Sequence, residues 1–249
     1  MPNSPASTPP TPASDTRSAP ADAAPPKRYV RGPFVVVGVF GMLLAMTIGA
    51  IVLPTLARGT RSNILETYGV VPSFNMRDQT GAAFTDDALR GHIVIANFIF
   101  TRCPAVCPLF TMKMRRIQDR TSAVRDRIKL VSFSVDPEYD TPEVLAEYAT
   151  GYDADPRRWR FITGDAEDIR RIATDGMMLA LDVQGELPNG APDVVHAEHF
   201  VLLDSALRIR GYYDSSDPKR IERLVHDAFS LLKQADRAYP DGPPSDWEP

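Results

Sequence analysis

Residues 93–108 read IVIANFIFTRCPAVCP, an apolar run followed by both of the chain's cysteines. The run is β-branched and aromatic and contains no charged residue, which predicts a buried strand of a parallel sheet. Cys103 and Cys107 therefore follow the carboxyl end of a strand, which is where open α/β sheets place ligand and reaction sites. We interpret this segment as the functional site of the protein.

The composition of the 249-residue chain excludes several classes of protein. Its formal net charge of -4 and its scattered lysines and arginines provide no basic surface of the kind that nucleic-acid binding requires. Two cysteines are too few for the disulfide framework of a small secreted scaffold. With 43% hydrophobic residues, the chain has enough apolar material for one ordinary core and further segments.

The composition also predicts the order of segments along the chain. Residues 1–33 are rich in Pro, Ala, Ser and Thr, which predicts a disordered tail. The uncharged run 34–56 is long enough, at about 1.5 Å per residue, to cross a hydrocarbon core of about 30 Å as a transmembrane helix. A linker at 57–63, a main domain at 64–238 and a flexible Pro-rich tail at 239–249 follow.

A cleaved signal peptide and a buried core helix are the alternatives to a membrane span. An uncleaved single span is favoured, because the apolar run exceeds the usual length of a signal-peptide core. Positive charges are more numerous before the run than after it, which places the tail in the cytoplasm and the main domain outside. These charges are Arg17, Lys27, Arg28 and Arg31 before the run, and Arg58 and Arg61 after it.

Alternating strand and helix patterns predict an α/β fold with a mixed central sheet flanked by helices. The predicted strands are 93–100, 128–135, 159–163 and 179–183, with hairpins at 74–84 and 199–213. The predicted helices are 110–123, 142–150, 165–176 and 218–235, and a Pro- and Gly-containing loop is predicted at 185–193.

The spacing of the two cysteines fits a metal site or a redox-active disulfide. If the segment is helical, Cys103 and Cys107 share one face about 6 Å apart along the axis, which suits either use. Structural zinc sites need four nitrogen or sulfur ligands, so a soft ion of low coordination number such as Cu(I) fits better, with one imidazole added. A structural disulfide or a pair of buried cysteines is the simpler alternative.

The chain has four histidines from which the imidazole can come. His92 precedes the site strand at the wrong edge of the sheet, and His226 lies inside the last predicted helix. His196 and His199 remain, and on an extended chain they point to opposite faces. His196 is favoured because it follows the predicted loop, and loops carry functional residues more often than strand interiors, but both remain candidates.

An acidic cluster follows the strand 128–135 and has two interpretations. Its members are Asp136, Glu138, Asp140 and Glu143. The cluster resembles a hard-metal site, but a helix start capped by Thr141 with Pro142 at its first position explains it better. Asp136 ends the strand expected beside the cysteine strand, so we expect it to lie next to the site.

Three segments, in order, resemble the Sco/SenC family of membrane-anchored, thioredoxin-like copper proteins that help assemble cytochrome c oxidase. The first two are FIFTRCPAVCP at 98–108 and SVDPEYDTPE at 134–143. The third is a histidine eight residues before the Asp that ends the late strand, and counting back from Asp204 this is His196. The chain departs from the family pattern at Ala197, where the family often has Ser or Thr.

The resemblance implies a thioredoxin-like copper-binding domain over 64–238. It implies Cys103, Cys107 and His196 as ligands of Cu(I) or Cu(II), with Asp136 beside them. It further implies an inner-membrane protein with a single span, whose domain faces the periplasm. Its partner would be the oxidase subunit that holds the dinuclear copper centre, with other copper chaperones or a thiol reductase as further partners.

Two functions follow from this resemblance. The first is a copper chaperone that delivers copper to the oxidase, with a Cys103–Cys107 disulfide as its unloaded oxidised form. The second is a thiol–disulfide oxidoreductase that reduces the cysteines of that oxidase subunit. In this second function Cys103 is the attacking thiolate and Cys107 the resolving thiol.

Overall fold

The chain divides into two units, Met1–Ser62 and Asn63–Pro249. The computed structural model describes residues 38, 40–50, 65–104, 106–179, 181–188, 190, 192–196 and 198–238. The predicted tails and linker lie outside these residues, and the predicted span 34–56 lies partly outside them. Residues 40–50 are helical, and nowhere in the described residues is a helix both long and apolar enough to cross a membrane.

The second unit contains the strands and helices that form the sheet and its covering layers. In the described residues its strands are β1 Gly69–Val70, β2 Asn75–Asp78, β3 Ala83–Thr85, β4 Ile93–Ile99, β5 Ile128–Ser134, β6 Trp159–Thr163, β7 Leu181–Glu186, β8 Pro192–His196, β9 His199–Leu203 and β10 Arg208–Asp214. Its helices are α1 Val106–Arg120, α2 Pro142–Gly151, α3 Ala166–Arg171 and α4 Pro218–Ala238. Two 3₁₀ turns, Asp86–Ala88 and Ser122–Arg127, and a π-helical turn, Ile172–Gly176, complete the set.

Eight of these strands form one mixed sheet in the order β1-β10-β9-β4-β5-β6-β2-β3. Strands β4, β5 and β6 run parallel, and β9 lies antiparallel on the other side of β4. All residues of β4 are buried, as expected for a parallel strand covered on both faces. The predicted α/β fold with a mixed central sheet is confirmed.

Alternate side chains of β4 enter two hydrophobic clusters, one on each face of the sheet. Ile93 and Ile99 pack on the face covered by α1, α2 and α4. Val94 and Phe98 pack on the face covered by α3, the π-helical turn and the β2–β3 hairpin. Full burial of a side chain such as Ile stabilises the fold by about 1.5–3 kcal/mol. The carboxyl end of β4 therefore belongs to a strand that is buried along its whole length.

Two further segments reach this same edge of the sheet. Strand β5 is parallel to β4 and pairs Ser134 with Ile99, so the residues after both strands leave together. Strand β9 is antiparallel to β4, with Ala96 opposite Val201, so its first residue His199 lies towards the carboxyl end of β4. The turn after β4, the turn after β5 and the entry to β9 therefore meet at one edge.

Strands β7 and β8 form a separate two-stranded ribbon just before β9. Leu181 lies opposite His196, and the register shifts between Val183 and Gly185. The predicted loop 185–193 is thus wrong, because strands occupy both of its ends. Glycine at a bulge and proline at the first position of a strand are both compatible with pairing, so neither residue breaks the ribbon.

Candidate metal centre

The two cysteines lie on either side of the start of α1. The helix begins at Val106, earlier than the predicted start at Phe110, because Pro108 falls in the first turn, where proline is tolerated. Cys103 lies in the turn before the helix, so the two cysteines do not share one helical face. The backbone N–H of Cys107 instead donates to Cys103 Sγ over 3.4 Å.

The environments of the two sulfurs differ. Cys107 is fully buried in the hydrophobic cluster below α1, whereas Cys103 is half-buried at its margin. Burial raises the pKa of the Cys107 thiol well above its usual value, against a smaller opposing effect of the Phe100 backbone. Ionising Cys107 in place is therefore costly, and a cation bound between the sulfurs offsets that cost.

A buried carboxylate, Asp140, joins the turn after β4 to the turn after β5. It accepts hydrogen bonds from the Thr101 backbone N–H at 3.1 Å, from the Thr101 hydroxyl and from the Ser134 hydroxyl. Burial raises the pKa of Asp140, and the bonds from Ser134 and Thr101 oppose the shift. The cysteine turn is therefore fastened to β5 two residues before Cys103.

Asp136, predicted to lie beside the site, accepts from Arg102. Arg102 Nη2 and Nε donate to the same Asp136 oxygen at 2.7 and 3.0 Å. The Arg102 guanidinium also lies 4.3 Å from the ring centroid of Tyr139. The interpretation of the acidic cluster as a helix start is supported, because the Thr141 hydroxyl accepts from Val144 N–H at 3.5 Å and Pro142 opens α2.

The backbone brings His196 to the end of β8, directly before β9. Its side chain lies outside the described part of the chain. His199 starts β9 on the face opposite Phe200, and Phe200 shares a cluster with Cys107. The side chain of His199 therefore lies on the opposite face of the sheet from the cluster that contains Cys107. His196 was expected to follow a loop and to lead into the strand that begins at His199, but it is instead the last residue of strand β8.

The other two histidines lie away from this edge. His92 immediately precedes β4, with its Nδ1 2.9 Å from the Arg90 carbonyl oxygen. Burial lowers the pKa of His92, with a smaller contribution from nearby Lys129. His226 lies on α4 with its Nδ1 3.1 Å from Asp227 Oδ1. Neither residue lies in the three segments that meet at the carboxyl end of β4.

The site residues that sequence reasoning missed are Arg102 and Asp140, which connect the segments at the edge. Asp140 was recognised only as part of an acidic helix start, and Arg102 only as part of the cysteine motif. A charged residue directly before the first cysteine and a carboxylate four residues after Asp136 were the available signals. Among described side chains, no group of three or more His, Cys, Asp and Glu is arranged around a metal position.

The arrangement provides two sulfurs of different exposure at a rigid sheet edge, with a third segment ending in His196 beside them. Two thiolates and one imidazole suit a soft ion such as Cu(I). The same pair of sulfurs suits thiol–disulfide exchange, with Cys103 as the accessible sulfur. The geometry alone is therefore compatible with metal binding and with redox exchange.

Comparison with known proteins gives consistent matches over the second unit. Among curated proteins, the SCO1 protein homolog of Bacillus subtilis is 29% identical over 164 residues, which are 66% of this chain and 82% of the relative. The crystal structure of a SCO1/SenC family lipoprotein from Bacillus anthracis matches with a TM-score of 0.60 and 29% identity, covering 68% of this chain and 98% of that one.

Two further solved structures share the fold. BsSco, described as a member of the Sco family of cytochrome c oxidase assembly proteins with a disulfide switch, matches with a TM-score of 0.59 and 26% identity over 68% of this chain and 96% of that one. Bradyrhizobium japonicum ScoI, solved with copper bound, matches with a TM-score of 0.56 and 23% identity over 67% of this chain and 99% of that one. The family model described as SCO1/SenC matches residues 63–233. The chain therefore belongs to the SCO1/SenC family.

Proposed function

We propose that this protein is a membrane-anchored copper chaperone that delivers copper to the dinuclear copper centre of cytochrome c oxidase during assembly. Residues 34–56 are its single span in the cytoplasmic membrane, and residues 64–238 are its copper-binding domain in the periplasm. Cys103, Cys107 and His196 hold the copper. The partner is the oxidase subunit that carries the copper centre. Other copper chaperones supply the metal, and a thiol reductase keeps the cysteine pair reduced.

One observation carries the proposal: the Cys103–Cys107 turn lies at the same sheet edge as the entry to β9, and His196 ends the ribbon before that entry. Two sulfurs and one imidazole are a donor set for Cu(I). Family membership supports the oxidase as the partner, since the related BsSco is described as a member of a family of cytochrome c oxidase assembly proteins. The choice of copper is supported by Bradyrhizobium japonicum ScoI, which is solved with copper bound. A thiol that is bound by copper loses its proton, so loading releases protons and requires the reduced pair.

Bound copper would also offset the cost of ionising the buried Cys107. A thiolate at this position is costly because it is removed from water, and the high pKa of the thiol expresses that cost. A cation shared with Cys103 supplies the compensating charge. The N–H bond from Cys107 to Cys103 Sγ adds a donor that favours negative charge on the more accessible sulfur.

The second candidate function is reduction of a disulfide in the oxidase subunit. The half-buried Cys103 favours it, since this sulfur is the one a partner can reach. The Cys103 thiolate attacks one partner sulfur to form a mixed disulfide, and the other partner sulfur leaves as a thiolate. Cys107 then loses its proton and attacks Cys103, which releases the partner as a dithiol and leaves a Cys103–Cys107 disulfide. The two electrons come from this pair, and an external dithiol reductant must restore them.

The test is a Cu(I) competition titration of the full-length chain and of single-residue variants. We expect one tightly bound Cu(I) in the wild type and a loss of at least about 100-fold in affinity for Cys103→Ala, Cys107→Ala and His196→Ala, as removal of one of three ligands implies. His226→Ala is the matched control, since His226 lies on α4 and contacts Asp227. His199→Ala is also expected to retain copper, because His199 starts β9 on the face opposite Phe200.

The same variants distinguish the two functions. Thiol–disulfide exchange needs the cysteine pair alone, so His196→Ala retains reductase activity if the protein is a reductase. Retention of one tightly bound copper by both Cys103→Ala and His196→Ala rules out the proposed copper site.

A further inference from the structure

Arg102 contacts the three segments that meet at the site. Its Nε and Nη2 donate to Asp136 in the turn after β5, at 3.0 and 2.7 Å. Its Nη1 donates to the carbonyl oxygen of Gly190, in the connection between β7 and β8, at 3.1 Å. Its own backbone directly precedes Cys103. One guanidinium therefore links the cysteine turn, the β5 turn and the β7–β8 ribbon.

The ribbon depends on such attachments because it forms its own two-stranded sheet, apart from the eight-stranded one. A two-stranded hairpin is marginally stable at best unless it packs against something else. Leu187, in the connection between its strands, packs against the hydrophobic cluster that Cys103 borders. The bond from Arg102 to Gly190 lies in the same connection. Both contacts hold the turn end of the ribbon at the cysteine edge. His196 lies at the other end of the ribbon, opposite Leu181, so the attachment of the turn affects it through the pairing of β7 with β8.

We propose that Arg102 is a positioning residue that fastens the β7–β8 ribbon to the cysteine turn and so sets where His196 is presented to the copper. This inference rests on the proposed function for its consequence in copper binding, because His196 is the ligand that the ribbon carries. The fastening itself follows from the contacts of Arg102 and stands without copper.

The contacts explain why this residue is an arginine. The planar guanidinium presents donors in several fixed directions, so it reaches Asp136 and Gly190 at once and stacks on Tyr139. A lysine ammonium at this position keeps an attraction to Asp136 but lacks the fork that bridges two acceptors. Lysine therefore retains the charge pair and loses the link to the ribbon.

A simpler role for Arg102 is to neutralise Asp136, which is only 6% exposed. The two roles predict different results for Arg102→Lys. If neutralisation is the whole role, lysine restores the wild-type properties. If Arg102 fastens the ribbon, Arg102→Lys loosens the ribbon as much as an uncharged residue does. It nevertheless keeps the stability that the charge pair with Asp136 provides.

The experiment measures backbone hydrogen exchange of the full-length, metal-free protein by mass spectrometry, over peptides that span 181–196. We expect Arg102→Met to raise the exchange of these ribbon amides by about tenfold, which corresponds to about 1.4 kcal/mol and lies within the range for the loss of one hydrogen bond. Arg102→Lys is expected to raise ribbon exchange to a similar extent. Arg157→Met is the matched control, because Arg157 pairs locally with Asp155 on the surface.

Copper binding gives the second readout. Cu(I) competition is expected to show a 10- to 100-fold loss of affinity in Arg102→Met and Arg102→Lys, the usual cost of removing a partner that orients a ligand. The Cu(II) electron paramagnetic resonance spectrum is expected to broaden in both variants as the imidazole geometry becomes less uniform. Circular dichroism checks that each variant is folded.

Four outcomes are decisive. Ribbon exchange in Arg102→Met within twofold of the wild type overturns the proposal, and so does full restoration of wild-type exchange by lysine. Faster ribbon exchange in both variants, with unchanged exchange in Arg157→Met, supports it. A wild type that binds no copper refutes the proposed function, and the exchange data on the metal-free protein still decide whether Arg102 fastens the ribbon.

Discussion

Asp140 shows how a single buried carboxylate determines the position of a proposed metal ligand. It is fully buried and accepts bonds from Thr101 and Ser134, so it connects the turn after β4 to the end of β5. Both oxygens of the carboxyl group accept hydrogen bonds here, whereas an amide has only one oxygen and puts an N–H₂ group in place of the other. The geometry of Cys103, two residues after Thr101, depends on this connection.

Replacement of Asp140 by Asn is expected to lower the free energy of unfolding by about 1–3 kcal/mol. The amide places an N–H₂ group against hydroxyl and backbone donors, which leaves buried donors without an acceptor. Urea denaturation of the wild type and of Asp140→Asn measures the difference. Asp165→Asn is a control, since Asp165 only caps the short helix α3. An Asp140 variant as stable as the wild type contradicts the importance of this connection.

The pH dependence of that difference follows from the direction of the pKa shift. Burial raises the pKa of Asp140 above its usual value of 3.8, so the folded state holds this proton more tightly than the unfolded state. Between the unfolded and the folded pKa, stability falls as pH rises, because the folded protein binds more protons. The stability gap between wild type and Asp140→Asn is therefore expected to be widest at and below pH 3.8 and to narrow as pH rises through the folded-state pKa. A gap that widens with pH contradicts this assignment.

At the scale of elements, helix α1 carries Cys107 on its buried face. Phe110 packs on Phe200 of β9 with ring centroids 4.5 Å apart, and Met114 and Ile117 continue the same stripe. This packing sets the distance between helix α1 and the sheet. Cys107 is one turn before Phe110, so the contact between α1 and β9 also sets the distance from Cys107 to the chain that enters β9.

Truncation of Phe110 to Ala is expected to destabilise the protein by about 3–5 kcal/mol, the usual cost of removing a buried aromatic side chain. Phe110→Leu keeps most of the apolar volume and is expected to cost less. Guanidinium denaturation of both variants and of the wild type gives the order of their free energies of unfolding. Exposed Leu109 on the same helix is the matched control, with Leu109→Ala expected to change stability by less than about 1 kcal/mol. Equal losses for Phe110→Ala and Leu109→Ala contradict the packing argument.

At the scale of the whole molecule, the second unit holds its own first residues in place. Arg210 is 9% exposed, and it donates to the backbone oxygens of Leu65 and Glu66 as well as to Asp204. The N–H groups of Tyr68 and Val71 donate to Ile209 and Leu207 oxygens, which continues the attachment along β10. The folded unit therefore includes the chain from about Leu65 onward.

This attachment predicts where the chain can be shortened. A protein that begins at Asn63 is expected to keep its fold and to bind copper, while one that begins at Pro72 is expected to lose at least about 3 kcal/mol. The shorter protein leaves Arg210 donors without acceptors and removes the buried Val71 side chain. Thermal denaturation and copper titration of the two proteins test this. Equal stability of the two proteins contradicts the expectation.

The same pair of proteins tests the proposed anchor. The full-length chain is expected in the membrane fraction of the cells that make it, and the protein that begins at Asn63 in the soluble fraction. A full-length chain that remains soluble after removal of cell debris contradicts a span at 34–56.

Sequence reasoning was most successful where the pattern is local. The apolar run of β4, the cap at Thr141 with Pro142 and the hairpin 199–213 are each specified by neighbouring residues, and the structure has all three. It failed where the pairing of two strands decides the structure, as in the ribbon β7–β8. The glycines and prolines of that segment are compatible with a loop and with a bulged hairpin. The start of α1 was missed for a related reason, because proline ends a helix in its interior but is tolerated in its first turn.

By itself, the sequence determined that two cysteines follow an apolar strand and that the chain belongs to the SCO1/SenC family. Both can be read from the sequence because apolar runs and motif spacing are local properties of the chain. Only the tertiary structure decided that the two sulfurs differ in burial and that His199 starts β9 on the face opposite Phe200. Only the tertiary structure brought Arg102 to Gly190, which lies 88 residues away along the chain. Such contacts depend on which strands pair and on which face each element packs, and no local pattern encodes either.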